Sequence, residues 1–416
     1  MTQERGDVAI VGGGMVGMAT ALACRERGLS VSVVDPGGIR DAASYGNAGV
    51  ISRGSIIPVA GPGILKKLPR YALNREVAMR VDYGSLLAVA PWLIAFLRRC
   101  NEASLREAAA ALDPLCAAAY DEHWRIAGEI GARDLIQRRG WVKLYRSDAA
   151  FEGAALEREP LAQHRIAFEV IDGAELPQFE PALKRRYAKA VWHTETGSVR
   201  DPGGLVQAYE AAARHRGVTI LAGRARTVVD EAEGARIDLE GGGAVTARTV
   251  VIAAGAAAHD LTRTMGYRLP LAAERGYHRH FVDAGEHKLS RPIHDTGGSY
   301  VVSPMNAGLR LLSGVELARR DAPPNLTQIT AVEADARQTL AMGETVEDTA
   351  WHGARPSTPD GLPVIGRAPR HRNVVFAFGH GHIGLSTGPI TGRLVAEIVT
   401  GAPVSLPIAP FSPGRF

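Results

Sequence analysis

The stretch from Asp7 to Asp35 constrains this chain more than any other. A short apolar run, Val8-Ala9-Ile10-Val11, leads directly into Gly12-Gly13-Gly14-Met15-Val16-Gly17, a helix-like stretch (MATALACRERG) and a second run, LSVSVVD. That order is a βαβ unit, which predicts a parallel sheet. Gly12, Gly14 and Gly17 form GxGxxG at the strand-to-helix junction. The first glycine allows a tight turn, the second lets a pyrophosphate approach the backbone, and the third lets helix and strand pack closely. The unpaired N–H groups at the helix start then face a phosphate. Asp35, followed by Pro36, ends the second run about 20 residues on, where a carboxylate can accept hydrogen bonds from a ribose diol. A dinucleotide site is expected, and the motif leaves NAD and FAD both open.

With 416 residues, two or three domains are expected, enough to bury a core without staples. The 48 basic residues exceed the 44 acidic ones by only four, which gives no argument for nucleic acid as a partner. Cys24, Cys100 and Cys116 stand far apart with no CxxC pair, against a disulfide framework or a zinc ribbon and in favour of a reducing, cytoplasmic compartment. The early strand at Val8 leaves no room for a signal peptide. The longest apolar run, Leu86 to Leu97, contains Pro91 and is short of the ~20 residues that span a bilayer. It reads as a buried or half-buried helix, while Arg98 and Arg99 after it leave open a peripheral contact with the inner face of the membrane. His278/His280 and His380/His382 have HxH spacing, yet no cysteine or carboxylate cluster completes a ligand set, so no metal is expected.

Along the chain the pattern turns helical and alanine-rich from about Asp82 to Ile136. It returns to α/β near Gly197, with a helix and strand in DPGGLVQAYEAAARHRGVTIL and a buried strand in TARTVVIAAG. Between Pro270 and Gly314 short β-rich runs follow (YHRHFVD, SYVVSPM, LRLLSGVEL), and residues 329–343 read as helix. A last strand, NVVFAFG, and a last helix, GPITGRLVAEIVTG, close the chain.

Three further stretches accompany the first motif: Ser44-Tyr45-Gly46-Asn47-Ala48-Gly49, the strand end Ala253-Ala254-Gly255, and the C-terminal GARPSTPDGLPVIG with FAFGHGHIGLSTGPITG. With it they resemble the FAD-dependent D-amino acid oxidase superfamily, in order from about Val8 to Gly401. Within it the chain is most similar to bacterial D-amino acid dehydrogenases and their glycine-oxidase and hydroxyproline-dehydrogenase relatives. The resemblance implies an α/β fold: a Rossmann-like FAD-binding domain (1–85, 197–265 and 348–416) and a discontinuous substrate domain of α+β character, a β-sheet with helices (86–196 and 266–347). It implies FAD as cofactor, bedded on Gly12, Gly14, Met15, Val16 and Gly17; Asp35 and Pro36; Ser44, Asn47, Ala48, Gly49 and Val50; Ala254 and Gly255; Gly353 and Arg355; and Gly379, His380, Gly381, His382, Ile383, Gly384 and Leu385. Arg226 falls in the strand whose backbone the family uses against the adenine end, with arginine in place of a usual small apolar residue.

The resemblance also places Arg355 as the clamp on a substrate carboxylate, a task suited to a planar guanidinium, with the Tyr300 hydroxyl reaching the same group. Arg275 and Tyr277, in ERGYH, match the hydroxyproline-type branch; each faces the substrate side chain or is satisfied within the domain interface. His382 replaces a threonine-like residue of D-alanine-type dehydrogenases, which moves the expected substrate away from D-alanine. The implied reaction is hydride transfer from the α-carbon of a D-amino acid, of proline or hydroxyproline type, to FAD, with no dedicated general base and a quinone or respiratory carrier as electron acceptor. A glycine- or sarcosine-type oxidase, an FAD-carrying subunit of a hetero-oligomeric amine dehydrogenase, and an NAD-dependent enzyme stand as alternatives.

Overall fold

The computed structural model describes residues 6–416. Gly6–Val11 (β1) and Val31–Asp35 (β2) flank the helix Met15–Glu26 (α1), and the two strands pair in parallel as the pattern predicts. On its other side β1 pairs in parallel with Ala244–Ile252 (β3), the buried TARTVVI run. The outer edge of β3 is divided: its first half takes Gly234–Leu239 antiparallel, and its second half takes Val374–Phe378 in parallel. The sheet has eight strands, and chain direction switches sides at β1, which opens a crevice beyond the carboxyl ends of β1, β2 and β3.

One face of this sheet is covered by α1 and two long helices. After Gly63–Ala72 (α2) and Leu86–Arg99 (α3), Glu102–Glu129 (α4) packs on the last helix, Gly384–Thr400 (α5), and both share a core with α1 built from Met18, Leu22, Ala109, Leu112, Cys116 and Leu394. The helices approach closely because the facing side chains are small. A Cβ on Gly392 of α5 would lie 2.5 Å from the backbone carbon of Ala19. The alanine-rich helix therefore belongs to the first core, although the expected boundaries gave it to the second domain; its stripe of Ala108, Ala109, Ala119 and Ala127 is what lets α4 close on α5.

The second sheet has eleven strands and centres on Ala272–Asp283 (β4), which pairs antiparallel with Gly308–Leu312, Val315–Leu317, Met342–Thr345 and Trp351–Ser357 (β5). Met79–Val81 and β5 both belong here, whereas the expected divisions at 85 and 348 placed them in the first domain. Their backbone groups are satisfied by the open edges of the second sheet, which decides the matter for extended chain crossing between two layers. The helix near residues 329–343 runs Thr327–Thr339, and its tail from Met342 is strand.

His123 of α4 is buried and its Nε2 lies 2.8 Å from the Leu385 carbonyl, tying α4 to the start of α5. Burial pushes this imidazole down to about 4, against an unfolded value near 6.5. Below pH ~6.5 the unfolded chain takes up the proton first, so the stabilisation present above that pH is lost as pH falls towards 4. The melting temperature should drop across this window, and His123→Gln should make the drop shallower in a thermal scan at successive pH values; an unchanged slope would remove His123 as a contributor.

Candidate active site

The crevice at the switch point is a cleft of about 970 Å³, at the upper end of ordinary ligand pockets. Its floor is the first turn: Gly12, Gly14, Met15 and Val16 line it, and Gly12 takes a positive φ of 112° where a Cβ would collide with the Ala253 carbonyl. Gly17 does not line the cleft. It sits behind it, against the Gly12 carbonyl, which is the close helix–strand packing expected of the third glycine. Asp35 accepts from the Gly13 N–H at 2.6 Å and the Gly37 N–H at 2.8 Å, and with Pro36 it borders the cleft.

The loop Ser44–Val50 forms the next wall. Ser44 Oγ accepts from the Met15 N–H at 3.2 Å, and Asn47 Oδ1 accepts from the Gly49 N–H at 2.8 Å. Ser44, Asn47, Ala48 and Val50 line the cleft, while Gly49 supports them from behind. The loop is held by a residue that the sequence reading does not single out. Arg310, buried on the strand Gly308–Leu312, donates from Nη1 to the carbonyls of Tyr45 and Asn47 at 2.8 and 2.7 Å, and from Nε to His280 Nε2 at 2.9 Å. Burial brings its guanidinium down to about 10. His280 in turn meets Glu347 at 2.5 Å through Nδ1.

Ala254 and Gly255, at the end of β3, line the cleft. Arg226 does not: its side chain is exposed, and its neighbours Arg224 and Ala225 line the cleft instead. Side chains alternate along a strand, so a shift of one residue turns Arg226 to solvent. At the far wall, His380, Gly381, His382, Ile383, Gly384 and Leu385 lead into the N-terminus of α5, whose free N–H groups favour negative charge nearby. Gly379 borders a smaller adjoining cavity of about 60 Å³ that shares His380 to Ile383 with the cleft. His380 is buried with Nε2 3.0 Å from Thr391 Oγ1, and burial pushes it down to about 3, so it stays neutral.

The second sheet closes the cleft. Along β4, Glu274, Gly276, His278 and His280 share one face. Gly353 and Arg355 of β5 line the cleft, and Glu274 and Arg355 are directly paired across β4 and β5. The half-buried Arg355 lies over Gly276, where any Cβ would collide with the guanidinium. Burial pulls the Arg355 guanidinium below its ordinary value, while the Glu274 charge works in the opposite direction; Nη1 is shielded from solvent and has no hydrogen-bond partner among the described residues. Glu274 is 4% exposed and accepts from His382 Nε2 at 2.9 Å. Burial would raise its carboxyl, but the hydrogen bond and charge of His382, with the charge of Arg355, bring it below the usual carboxylate range. Glu274 escaped the sequence reading, although an acid in so apolar a strand as LAAERGYH signals a buried partner.

Three expected substrate contacts fall elsewhere. Tyr300 points into the core of the second sheet, its hydroxyl 3.1 Å from Asp295 Oδ2 and 2.8 Å from Thr339 Oγ1, and its neighbour Val301 faces the cleft. Alternation along the strand again accounts for the difference. Tyr277 is buried on the far face of β4, bonded to Glu316 at 2.5 Å and to the Asn325 N–H at 2.9 Å. Arg275 reaches the margin of the cleft, but its Nη atoms donate to the carbonyls of Ala322 and Pro323 and to the Tyr277 hydroxyl. The hydrogen bonds of both side chains thus stay within the second domain. His278 stacks on Trp351 with ring centroids 4.8 Å apart, and no group of three or more metal-ligating side chains occurs among the described residues.

A tight glycine floor, two helix starts facing one cleft and a carboxylate at the end of β2 fit a flavin dinucleotide, whose ADP half the first turn would hold and whose flavin the residues of α5 and β5 would hold. Comparison with known proteins agrees. Residues 7–398 match the family model described as FAD dependent oxidoreductase. The chain is 36% identical to a D-amino-acid oxidase of Bradyrhizobium diazoefficiens, over 98% of each chain, and 29% identical to D-amino acid dehydrogenase 2 of Pseudomonas aeruginosa, over 96% of each. Among solved structures it is similar to glycine oxidase from Geobacillus kaustophilus, with a TM-score of 0.79 at 22% identity, covering all of both chains. The chain belongs to the family of FAD-dependent oxidoreductases. It is a flavoenzyme, and the NAD reading is set aside.

Gly14→Val should place branched carbons where the pyrophosphate crosses the start of α1, so the variant should purify folded but colourless while the parent is yellow. Full flavin absorbance in that variant would overturn this placement of the ADP half.

Proposed function

We propose that this enzyme oxidises a D-amino acid, of proline or hydroxyproline type, to its imine. The observation that carries the proposal is the Arg355 guanidinium at the cleft with an unpartnered, solvent-shielded Nη1, since a buried donor of this kind calls for an anionic ligand. A substrate carboxylate meets that requirement, and Glu274 opposite keeps the site from accumulating positive charge. The likeness to a D-amino-acid oxidase and a D-amino acid dehydrogenase supports the handedness.

Bound FAD supplies the hydride acceptor. Arg355 holds the carboxylate and thereby fixes the direction in which Cα–H points. His382 provides the acceptor for the amine proton. Its Nε2 is engaged by Glu274, and Nδ1 has no partner among the described residues while the ring borders the cleft. The ammonium gives a proton to Nδ1, the nitrogen lone pair forms the C=N bond as hydride leaves Cα, and the imine departs to be hydrolysed to a 2-oxo acid or to remain cyclic. A base of this kind goes beyond the sequence reading, which names none. Electrons then pass to a quinone or another respiratory carrier, in keeping with the dehydrogenase relative.

The decisive experiment follows flavin absorbance anaerobically while D- and L-proline, hydroxyproline and alanine are added in turn. Bleaching by one D-form is expected, and bleaching by L-forms alone would overturn the proposal; steady-state turnover with oxygen against a quinone or dye separates oxidase from dehydrogenase. Arg355→Ala should raise KM by at least tenfold, as the loss of a charge-assisted pair worth ~1.5–3 kcal/mol requires. His382→Gln should lower kcat/KM about 10²-fold at neutral pH and recover as pH passes the substrate's ammonium pKa, because the substrate then arrives unprotonated. A loss equal at every pH would assign His382 a structural role.

A further inference from the structure

We propose that the outer face of α2 and α3 docks on an anionic membrane surface. Of the sixteen large apolar side chains exposed among the described residues, eight come from residues 59–94. On α3 they form a stripe: Leu87, Pro91 and Ile94 recur at helical spacing, with Leu87 92% and Ile94 53% exposed, and Arg98 continues the same line. The opposite side of α3 is satisfied internally, since Trp92 and Phe96 pack with Val81 and Leu317 and with Ile64 of α2. The exposed stripe is thus surplus to folding. Leu65 on α2 and Leu73 just after it are also exposed, and the Tyr83 hydroxyl, bonded to the Ala72 carbonyl at 2.7 Å, ties the end of α2 to the turn that precedes α3.

Charge selects the occupant. Residues 59–99 contain seven basic and two acidic residues, a surplus of five, whereas the whole chain has a surplus of four. Lys66, Lys67, Arg98 and Arg99 have no ion-pair partner among the described residues; Arg70 pairs with Glu76 at 2.7 Å. Apolar side chains interleaved with unpaired lysine and arginine fit the interface of a bilayer rich in anionic lipid, where the apolar groups enter the headgroup boundary and the cations face phosphates. No helix among the described residues is long and apolar enough to cross a membrane, so the contact is peripheral. The face lies close to the catalytic cleft: Val59, Ala60 and Phe96 line the 60 Å³ cavity that shares His380 to Ile383 with it. Docking here would bring that wall to the lipid surface.

The test is sedimentation of the yellow holoenzyme with phosphatidylcholine vesicles, with and without phosphatidylglycerol, at low and high salt. The expected result is pelleting with the anionic vesicles at low salt, release at high salt, and retention in the supernatant with phosphatidylcholine alone. Lys66→Gln with Lys67→Gln should weaken partitioning roughly 30-fold, and Leu87→Asp with Ile94→Asp should abolish it, both with unchanged flavin spectra because these side chains are exposed. No pelleting with anionic vesicles, or equal pelleting of the parent and both variants, would overturn the proposal. So would a dimer in gel filtration that Leu87→Asp converts to monomer, since a second copy would then cover the face. Turnover of any amino acid is irrelevant to these readings, so their failure is separate from that of the proposed reaction.

Discussion

A guanidinium held in a partly dry site needs a counter-charge, and the pairing of Arg355 with Glu274 across β4 and β5 is the constraint around which the cleft is arranged. The pairing requires two long strands in register, a glycine at position 276 to leave room for the guanidinium, and a histidine on the opposite wall as the hydrogen-bond partner of the carboxylate. One carboxylate thus connects the second sheet to the turn that starts α5. What remains over, a shielded donor on Arg355, is the feature a ligand completes. Removing Glu274 would leave the cation uncompensated, so it is as much a part of the site as the groups that face the cleft.

The dinucleotide half was legible in the sequence because its chemistry is local. A glycine turn, an adjoining helix start and a carboxylate at a fixed distance are contiguous, and each has a backbone reason to be where it is. The strands and the last helix also followed from periodicity. Of the substrate residues the resemblance supplied, Arg355 and His382 do come to the cleft. Tyr300 and Arg226 each lie one strand position from a residue that lines the cleft, and one position reverses the face of a side chain. Glu274 and Arg310 act on partners more than eighty residues away in the chain, and no spacing within a single stretch encodes that. The alanine-rich helix was assigned to the second domain because composition says how closely a helix can pack, not against which neighbour.

Four histidines at or near the cleft and the α4–α5 contact differ by partner. His123 and His380 each have a neutral partner, a carbonyl and a threonine hydroxyl, and burial keeps them uncharged; they are struts. His382 at the cleft and the buried His280 each meet a carboxylate, Glu274 and Glu347.

The Arg310 clamp has a consequence for how the molecule is assembled. The loop Ser44–Val50 that walls the cleft follows the first βαβ unit in sequence, yet its carbonyls are held by a side chain from the second sheet, more than 260 residues later. The nucleotide half therefore cannot complete its own binding surface. Arg310 can fix those carbonyls only when the late strands are in place, so that wall of the cleft is the joint product of the earliest and the later parts of the chain.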